Sequence, residues 1–125
     1  MDQKICLDTD ICIEILKNTK KGSDFLSLIG ESEVFITTIT VFELFLRERN
    51  LSPIETFLFK LNIMDFSELS ARKASEILKD LKRKGKAIEI RDLFIASTAI
   101  INNCALATLN KKHFSSIKDL KLFTI

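Results

Sequence analysis

Apolar positions fall into two kinds of run that alternate along the chain. Some are short, nearly continuous and rich in β-branched residues; in others apolar side chains recur every three or four positions. Lys4-Ile5-Cys6-Leu7 is of the first kind and reads as a buried strand, after which Asp8-Thr9-Asp10 turns the chain into a helix from Ile11 to Leu16. Phe25-Leu26 and Leu28-Ile29 suit a second short helix. Val34-Phe35-Ile36 predicts a second strand closed by Thr37-Thr38, with Thr40 capping a helix that runs to about Glu48. Ser52-Pro53-Ile54-Glu55 joins capping-box spacing to a proline at the first helical position, so a helix carrying Phe57, Leu58 and Leu61 starts there.

The second half repeats the alternation. Ile63-Met64-Asp65-Phe66 is a third strand, and Ala74, Ile77, Leu78 and Leu81 lie on one face of a helix ending near Gly85. Asp92 opens an apolar helix through about Ile101, and Asn102-Asn103 breaks it. Ala105-Leu106-Ala107-Thr108 is a fourth strand and Leu122-Phe123-Thr124-Ile125 a fifth. Short apolar strands alternating with helices predict an α/β fold whose parallel sheet is covered on both faces.

Composition adds bounds. The 125 residues, 46% apolar and 29% charged with three glycines and one proline, suit one domain over residues 1–125 with its own core. Nineteen basic against 17 acidic residues give a net charge of +2, so any nucleic-acid contact must come from local patches. One such patch is Arg72 to Arg91, where eight basic residues face three acids; a solvated helix face explains it as readily as phosphate positioning does. Cys6, Cys12 and Cys104 sit in apolar runs without zinc-site spacing, and read as buried, reduced thiols of a cytoplasmic protein. Residues 1–10 have no signal-peptide pattern, and polar residues interrupt the uncharged run Leu93 to Asn110, which argues against a membrane helix.

In an open parallel sheet, chemistry gathers beyond the carboxyl ends of the strands. Asp8 ends the first strand, where it serves equally as a helix cap or as a ligand. Glu43 lies inside Val41-Phe42-Glu43-Leu44-Phe45-Leu46; buried there it needs a cation, while on a wet stripe it would pair with Arg47. Asp92 is an N-cap or an anion-site residue, and Asn110, after Thr108, is a turn former or a fourth site residue. Taken together, Asp8, Glu43, Asp92 and Asn110 fall at strand ends and helix starts that one sheet edge unites. Oxygen-only ligands suit Mg²⁺ or Mn²⁺, a pairing fitted to phosphodiester hydrolysis.

These pieces match a known family. Leu7-Asp8-Thr9-Asp10 with Ile11-Cys12-Ile13, Thr38 to Glu43, the Asp-Leu-Phe-Ile-Ala core at Asp92, and Ala107-Thr108-Leu109-Asn110 leading to His113-Phe114 follow one another in the order and spacing of the PIN-domain endoribonucleases. The chain most closely resembles the VapC toxins of VapBC toxin–antitoxin modules. The resemblance implies a three-layer α/β/α fold on a central parallel sheet of four to five strands. It also implies metal-dependent hydrolysis of RNA by water, leaving a 5′-phosphate and a 3′-hydroxyl.

Carried over by position, Asp8, Glu43 and Asp92 match the metal-binding acids, Asn110 a fourth site residue, and Thr9 and Thr108 the hydroxyls lining the pocket. Asn110 stands where many relatives have Asp, so a second metal should be weaker or absent. Glu89-Ile90-Arg91 departs from the Gly and acid of many relatives; Arg91, with Lys111 and Lys112, is a candidate RNA contact. A VapB-like antitoxin and a homodimer are implied partners, with Ile11 to Leu16, Val41 to Leu46, Phe57 and Phe59 as candidate surface. Three rivals stay open. A housekeeping RNA-processing PIN nuclease would use the same site, and a PIN-like or receiver-like module would bind without turnover. A haloacid-dehalogenase-type phosphatase would use Asp8 and Asp10 but leave Glu43 and Asp92 without roles.

Overall fold

The computed structural model describes residues 3–123. Four strands, β1 (Lys4–Leu7), β2 (Glu33–Thr37), β3 (Asn62–Met64) and β4 (Ala105–Ala107), form one parallel sheet in the order β3-β2-β1-β4. Seven helices connect and flank them: α1 (Thr9–Leu16), α2 (Lys20–Ile29), α3 (Thr38–Leu44), α4 (Ser52–Phe59), α5 (Glu68–Arg83), α6 (Ile90–Ile101) and α7 (Lys111–Phe114). Among the described residues no helix is long and apolar enough to cross a membrane. All three cysteines are free and buried.

Alternation of side chains along each strand divides the interior in two. Ile5 and Leu7 of β1 join Ile11, Phe25, Ile36, Leu44 and Ile54 in a core beneath α1 to α4. Cys6 points the other way, into a core with Ile77, Leu81, Leu93, Ile95, Leu106 and Phe114 beneath α5 to α7. The architecture is therefore helix, sheet, helix. Each fully buried Ile, Leu or Phe contributes about 1.5–3 kcal/mol relative to exposure, which is why so short a sheet is held firmly.

Several element ends differ from expectation, each for a local reason. Thr37, not Thr40, caps α3: its extended backbone lets Oγ1 accept from the Thr40 N–H at 3.2 Å. That helix stops at Leu44 rather than near Glu48, and Asn50 then takes a left-handed turn at φ +57°. α4 begins at Ser52, but no side chain caps it, so its start relies on Pro53 rather than on a capping box. β3 ends at Met64, because the Phe66 N–H leaves the ladder to bond Thr38 Oγ1 at 3.1 Å. The fifth strand reduces to a single parallel bridge between Leu122 and Leu106; Thr124 and Ile125 lie outside the described residues.

α5 ends where predicted. Gly85 takes φ +69° while its N–H bonds Lys82 O at 3.1 Å and the Lys86 N–H bonds Leu81 O at 2.8 Å, a Schellman closure whose left-handed residue is most often glycine. Gly22 has a different task. A Cβ there would lie 2.6 Å from the Glu14 carbonyl oxygen and 2.8 Å from Ile15 N, so the glycine lets α2 lie directly on the α1 backbone. Gly→Ala inside a helix ordinarily stabilises by about 1 kcal/mol. Here the sign should reverse: Gly22→Ala is expected to cost roughly 2–3 kcal/mol in urea unfolding, whereas Ser23→Ala, at an exposed neighbour on the same helix, should change stability by less than about 0.5 kcal/mol.

Candidate active site

The carboxyl edge of the sheet gathers the polar residues that interrupt the apolar pattern. Asp8 follows β1 directly and continues its pairing, its N–H bonding Ala107 O at 2.9 Å. Its own Oδ1 accepts from the Thr9 N–H at 2.9 Å, so Asp8 caps α1 as well as facing the sheet edge. The parallel register of Leu7 with Ala107 sets Thr108 beside it, and Thr108 Oγ1 donates to Asp8 Oδ2 at 2.7 Å. Asp8 is only 5% exposed.

Asp10, in the first turn of α1, completes this half of the site. Its Oδ2 accepts from the Leu109 N–H at 3.1 Å and from Asn110 Nδ2 at 3.0 Å. Thr108 Oγ1 also lies 3.4 Å from it, but a hydroxyl has one proton, and the shorter bond to Asp8 takes it. The other oxygen, Asp10 Oδ1, is buried and has no hydrogen-bond partner. Asn110 thus acts through Asp10, its neutral amide donating to that carboxylate.

Glu43, in the last turn of α3, forms the second half. Thr9 Oγ1 donates to Glu43 Oε1 at 2.7 Å and lies 2.9 Å from the Oγ1 of fully buried Thr40. With the Thr9 proton committed to Glu43, Thr40 is the donor in that second contact. The cation beside Glu43 is Arg91, not Arg47: Arg91 Nη1 lies 3.6 Å from Glu43 Oε2 and its Nε 3.3 Å from Glu89 Oε1. α6 opens one residue later than Glu89, whose Oε2 accepts from the Arg91 and Asp92 N–H groups. Asp92 is therefore not the cap but lies inside the first turn, with His113 Nδ1 3.7 Å from its Oδ2.

Charge couples these pieces across the site. Burial first, then the Asp10 charge, pushes Asp8 up to about 7, against the opposing bonds from Thr108 and Thr9. Asp10 is raised by burial, opposed by the N–H groups of Leu109 and Ile11. Asp92 is raised by burial and by the charges of Glu89, Glu43 and Asp10, with His113 opposing. Crowded, partly dry carboxylates of this kind favour either protons or a cation.

The donor set fits a hard divalent ion. All the acids offer oxygen, Asp10 Oδ1 is buried without a partner, and the one histidine rules out a zinc-type set. Among the described residues no three His, Cys, Asp or Glu side chains stand close enough together to hold an ion between them. An open arrangement suits Mg²⁺, which keeps several waters and takes one or two carboxylates.

Lys111 and Lys112 are exposed on α7, just beyond Asn110, in the wall of a cleft that also includes Thr108 and His113. Most of the basic run on α5 lies elsewhere and is paired: Arg72 with Glu68 at 2.8 Å, Lys73 with Asp119 at 2.8 Å, Lys84 with Asp80 at 2.8 Å. A cleft between α5 and residues 117–119 shares no residue with the acids. Asp10, Thr40 and His113 were not among the residues expected from sequence to build the site. Asp10 alone had a legible signal, an acid two positions after a strand-end acid.

Residues 5–120 match the PIN domain. The chain belongs to the PIN-domain family. Ribonuclease VapC2 of Rickettsia felis is 35% identical to this PIN domain over 125 residues, which cover 93% of each chain. The tRNA(fMet)-specific endonuclease VapC of Shigella flexneri is 27% identical, over 94% of this chain and 95% of that one. The crystal structure of VapBC2 from Rickettsia felis bound to a DNA fragment from their promoter matches with a TM-score of 0.85 at 30% identity, over 97% of this chain and 98% of that one. Membership in the VapC group of PIN domains removes the phosphatase reading of Asp8 and Asp10.

The Asp8 shift has a consequence for the stability of this PIN domain. A carboxyl raised from 3.8 to about 7 stabilises the fold fully below the lower value and loses that contribution as pH rises through the upper one. In EDTA, thermal unfolding should therefore come roughly 5–10 °C earlier at pH 8 than at pH 5.5. Asp8→Asn should flatten most of that slope; an equally steep slope in the variant would contradict the assignment.

Proposed function

We propose that this PIN domain is a divalent-metal-dependent endoribonuclease, the VapC toxin of a toxin–antitoxin pair, with Asp8, Glu43 and Asp92 as its metal-binding acids. The observation that carries this reading is that Asp8, Asp10, Glu43 and Asp92 lie along one sheet edge within range of one another's charge, with Asp10 Oδ1 buried and unpartnered. Asp8, Glu43 and Asp92 would hold Mg²⁺ or Mn²⁺ there, and the ion would supply orientation of a water and positive charge toward the phosphate. No Ser, Cys or His nucleophile is needed for that chemistry.

The chain's own residues supply the positioning. Thr9, backed by Thr40, holds one oxygen of Glu43, and Thr108 holds Asp8. Asn110 and the Leu109 N–H fix one oxygen of Asp10 so that the other is left for a ligand. Arg91, Lys111 and Lys112 sit at the rim, where positive charge steadies RNA phosphates without reading bases. Attack of water on phosphorus with cleavage of the P–O3′ bond, the outcome the family resemblance implies, leaves a 5′-phosphate and a 3′-hydroxyl.

Partners follow from the surface and from the relatives. The R. felis relative is seen as a VapBC complex on DNA. Here Ile13, Phe42, Leu46 and Phe59 are exposed on and near α1, α3 and α4, while Ile11, Cys12 and Leu44 of the same stretches belong to the core. That exposed apolar set suits a VapB antitoxin segment, and assembly as a homodimer in the cytoplasm completes the proposal.

The test is cleavage of total cellular RNA, with intact tRNA and rRNA included because the S. flexneri relative is named for a tRNA. Wild type in Mn²⁺ or Mg²⁺ should give discrete products, and EDTA should abolish them. Asp92→Asn should lower the rate by about 100-fold or more while keeping the wild-type circular dichroism. Products that persist in EDTA or in the folded variant would overturn the assignment.

A further inference from the structure

Arg91 stands among the acids as a permanently charged cation, and its position is built on both sides. Nε bonds Glu89 Oε1 at 3.3 Å, and the same Glu89 uses its other oxygen to cap α6 at the Arg91 and Asp92 N–H groups. Nη1 lies 3.6 Å from Glu43 Oε2, with the Arg91 side chain 41% and the Glu43 side chain 22% exposed. The opposite oxygen of Glu43 is already taken by Thr9 Oγ1 at 2.7 Å. Oε2 is therefore the Glu43 oxygen left for a metal ion, and it is the one that Arg91 faces.

We propose that Arg91 is a resident counter-ion of Glu43 that competes with the divalent cation for that carboxylate, and so sets the metal affinity of the site. The inference rests on the metal-dependent reading above and goes beyond it. A guanidinium is always charged, and half-buried beside a carboxylate it is screened less than a surface pair. Loading the site must separate it from Glu43 Oε2, so the cost of that separation is subtracted from binding. Glu89 keeps the guanidinium close, so that it returns to Glu43 whenever the ion leaves. A purely structural Arg91 predicts the reverse: its loss would loosen Glu43 and weaken binding.

The experiment is calorimetric titration of the full chain with MnCl₂ in the absence of RNA, for wild type, Arg91→Met, Arg91→Gln and Lys112→Met, with thermal unfolding as a check on folding. Both Arg91 variants should bind Mn²⁺ roughly three- to tenfold more tightly than wild type. Lys112→Met, which removes the same charge from the site mouth without touching an acid, should change affinity less than about twofold. Unchanged or weaker binding in both folded Arg91 variants would overturn the competition. Equal tightening in Lys112→Met would overturn it as well, by showing that net charge and not the Glu43 pair is responsible. If wild type binds Mn²⁺ and the Arg91 variants do not differ, only this inference fails; if none of the four binds, the metal-dependent reading fails with it.

Discussion

Like charges brought together in a partly dry place repel, and in this PIN domain burial, helped by the charges of neighbouring acids, raises the carboxyls of Asp8 and Asp92. Nothing in a carboxylate cluster favours its own assembly. The work is done by elements that converge for other reasons: β1 and β4 pair in parallel, α3 follows β2 at the same edge, and the first turn of α6 arrives beneath α5. The hydrophobic cores above and below the sheet hold these ends in place against the repulsion. Hydroxyls finish the task at short range, Thr108 on Asp8 and Thr9 on Glu43, each giving its single proton to one carboxylate oxygen.

That division of labour explains why polar residues interrupt otherwise apolar stretches where they do. Thr9, Thr37, Thr40 and Thr108 are all buried, and each is tied to a helix start or to an acid. A buried hydroxyl without a partner is costly, so these side chains report on structure and site together. Gly22 makes a similar point without charge: by letting α2 rest on the α1 backbone, it steadies the helix that carries Thr9 and Asp10.

Much of this was legible in the sequence. The alternation of apolar runs predicted the parallel α/β sheet, and four strands formed where they were expected, give or take their ends. Pattern carries less information about which small polar residue caps a helix. Thr37 and Thr40 are equivalent by type, and only the extended backbone at the end of β2 selects Thr37. Glu89 displaces Asp92 as the α6 cap because the helix opens three residues earlier, where the Glu89 side chain reaches the free Arg91 and Asp92 N–H groups. Glu43 could be read as needing a cation, but naming Arg91 over Arg47 depends on how α3 and α6 meet, a contact 48 residues apart in the chain. Asp10 was visible as an acid and not as a site residue, because its role arises from the loop after β4 folding over it.

Co-crystals grown with Mn²⁺ and measured at its absorption edge test the central claim most directly. The predicted result is an anomalous peak among Asp8, Asp10, Glu43 and Asp92, about 2.0–2.3 Å from at least two of their oxygens. Asp10 Oδ1 should be a ligand or bonded to a metal-bound water. A well-ordered, Mn²⁺-saturated crystal with no peak in that cluster, or with its strongest peak elsewhere on the chain, would contradict the reading of these acids as a metal site.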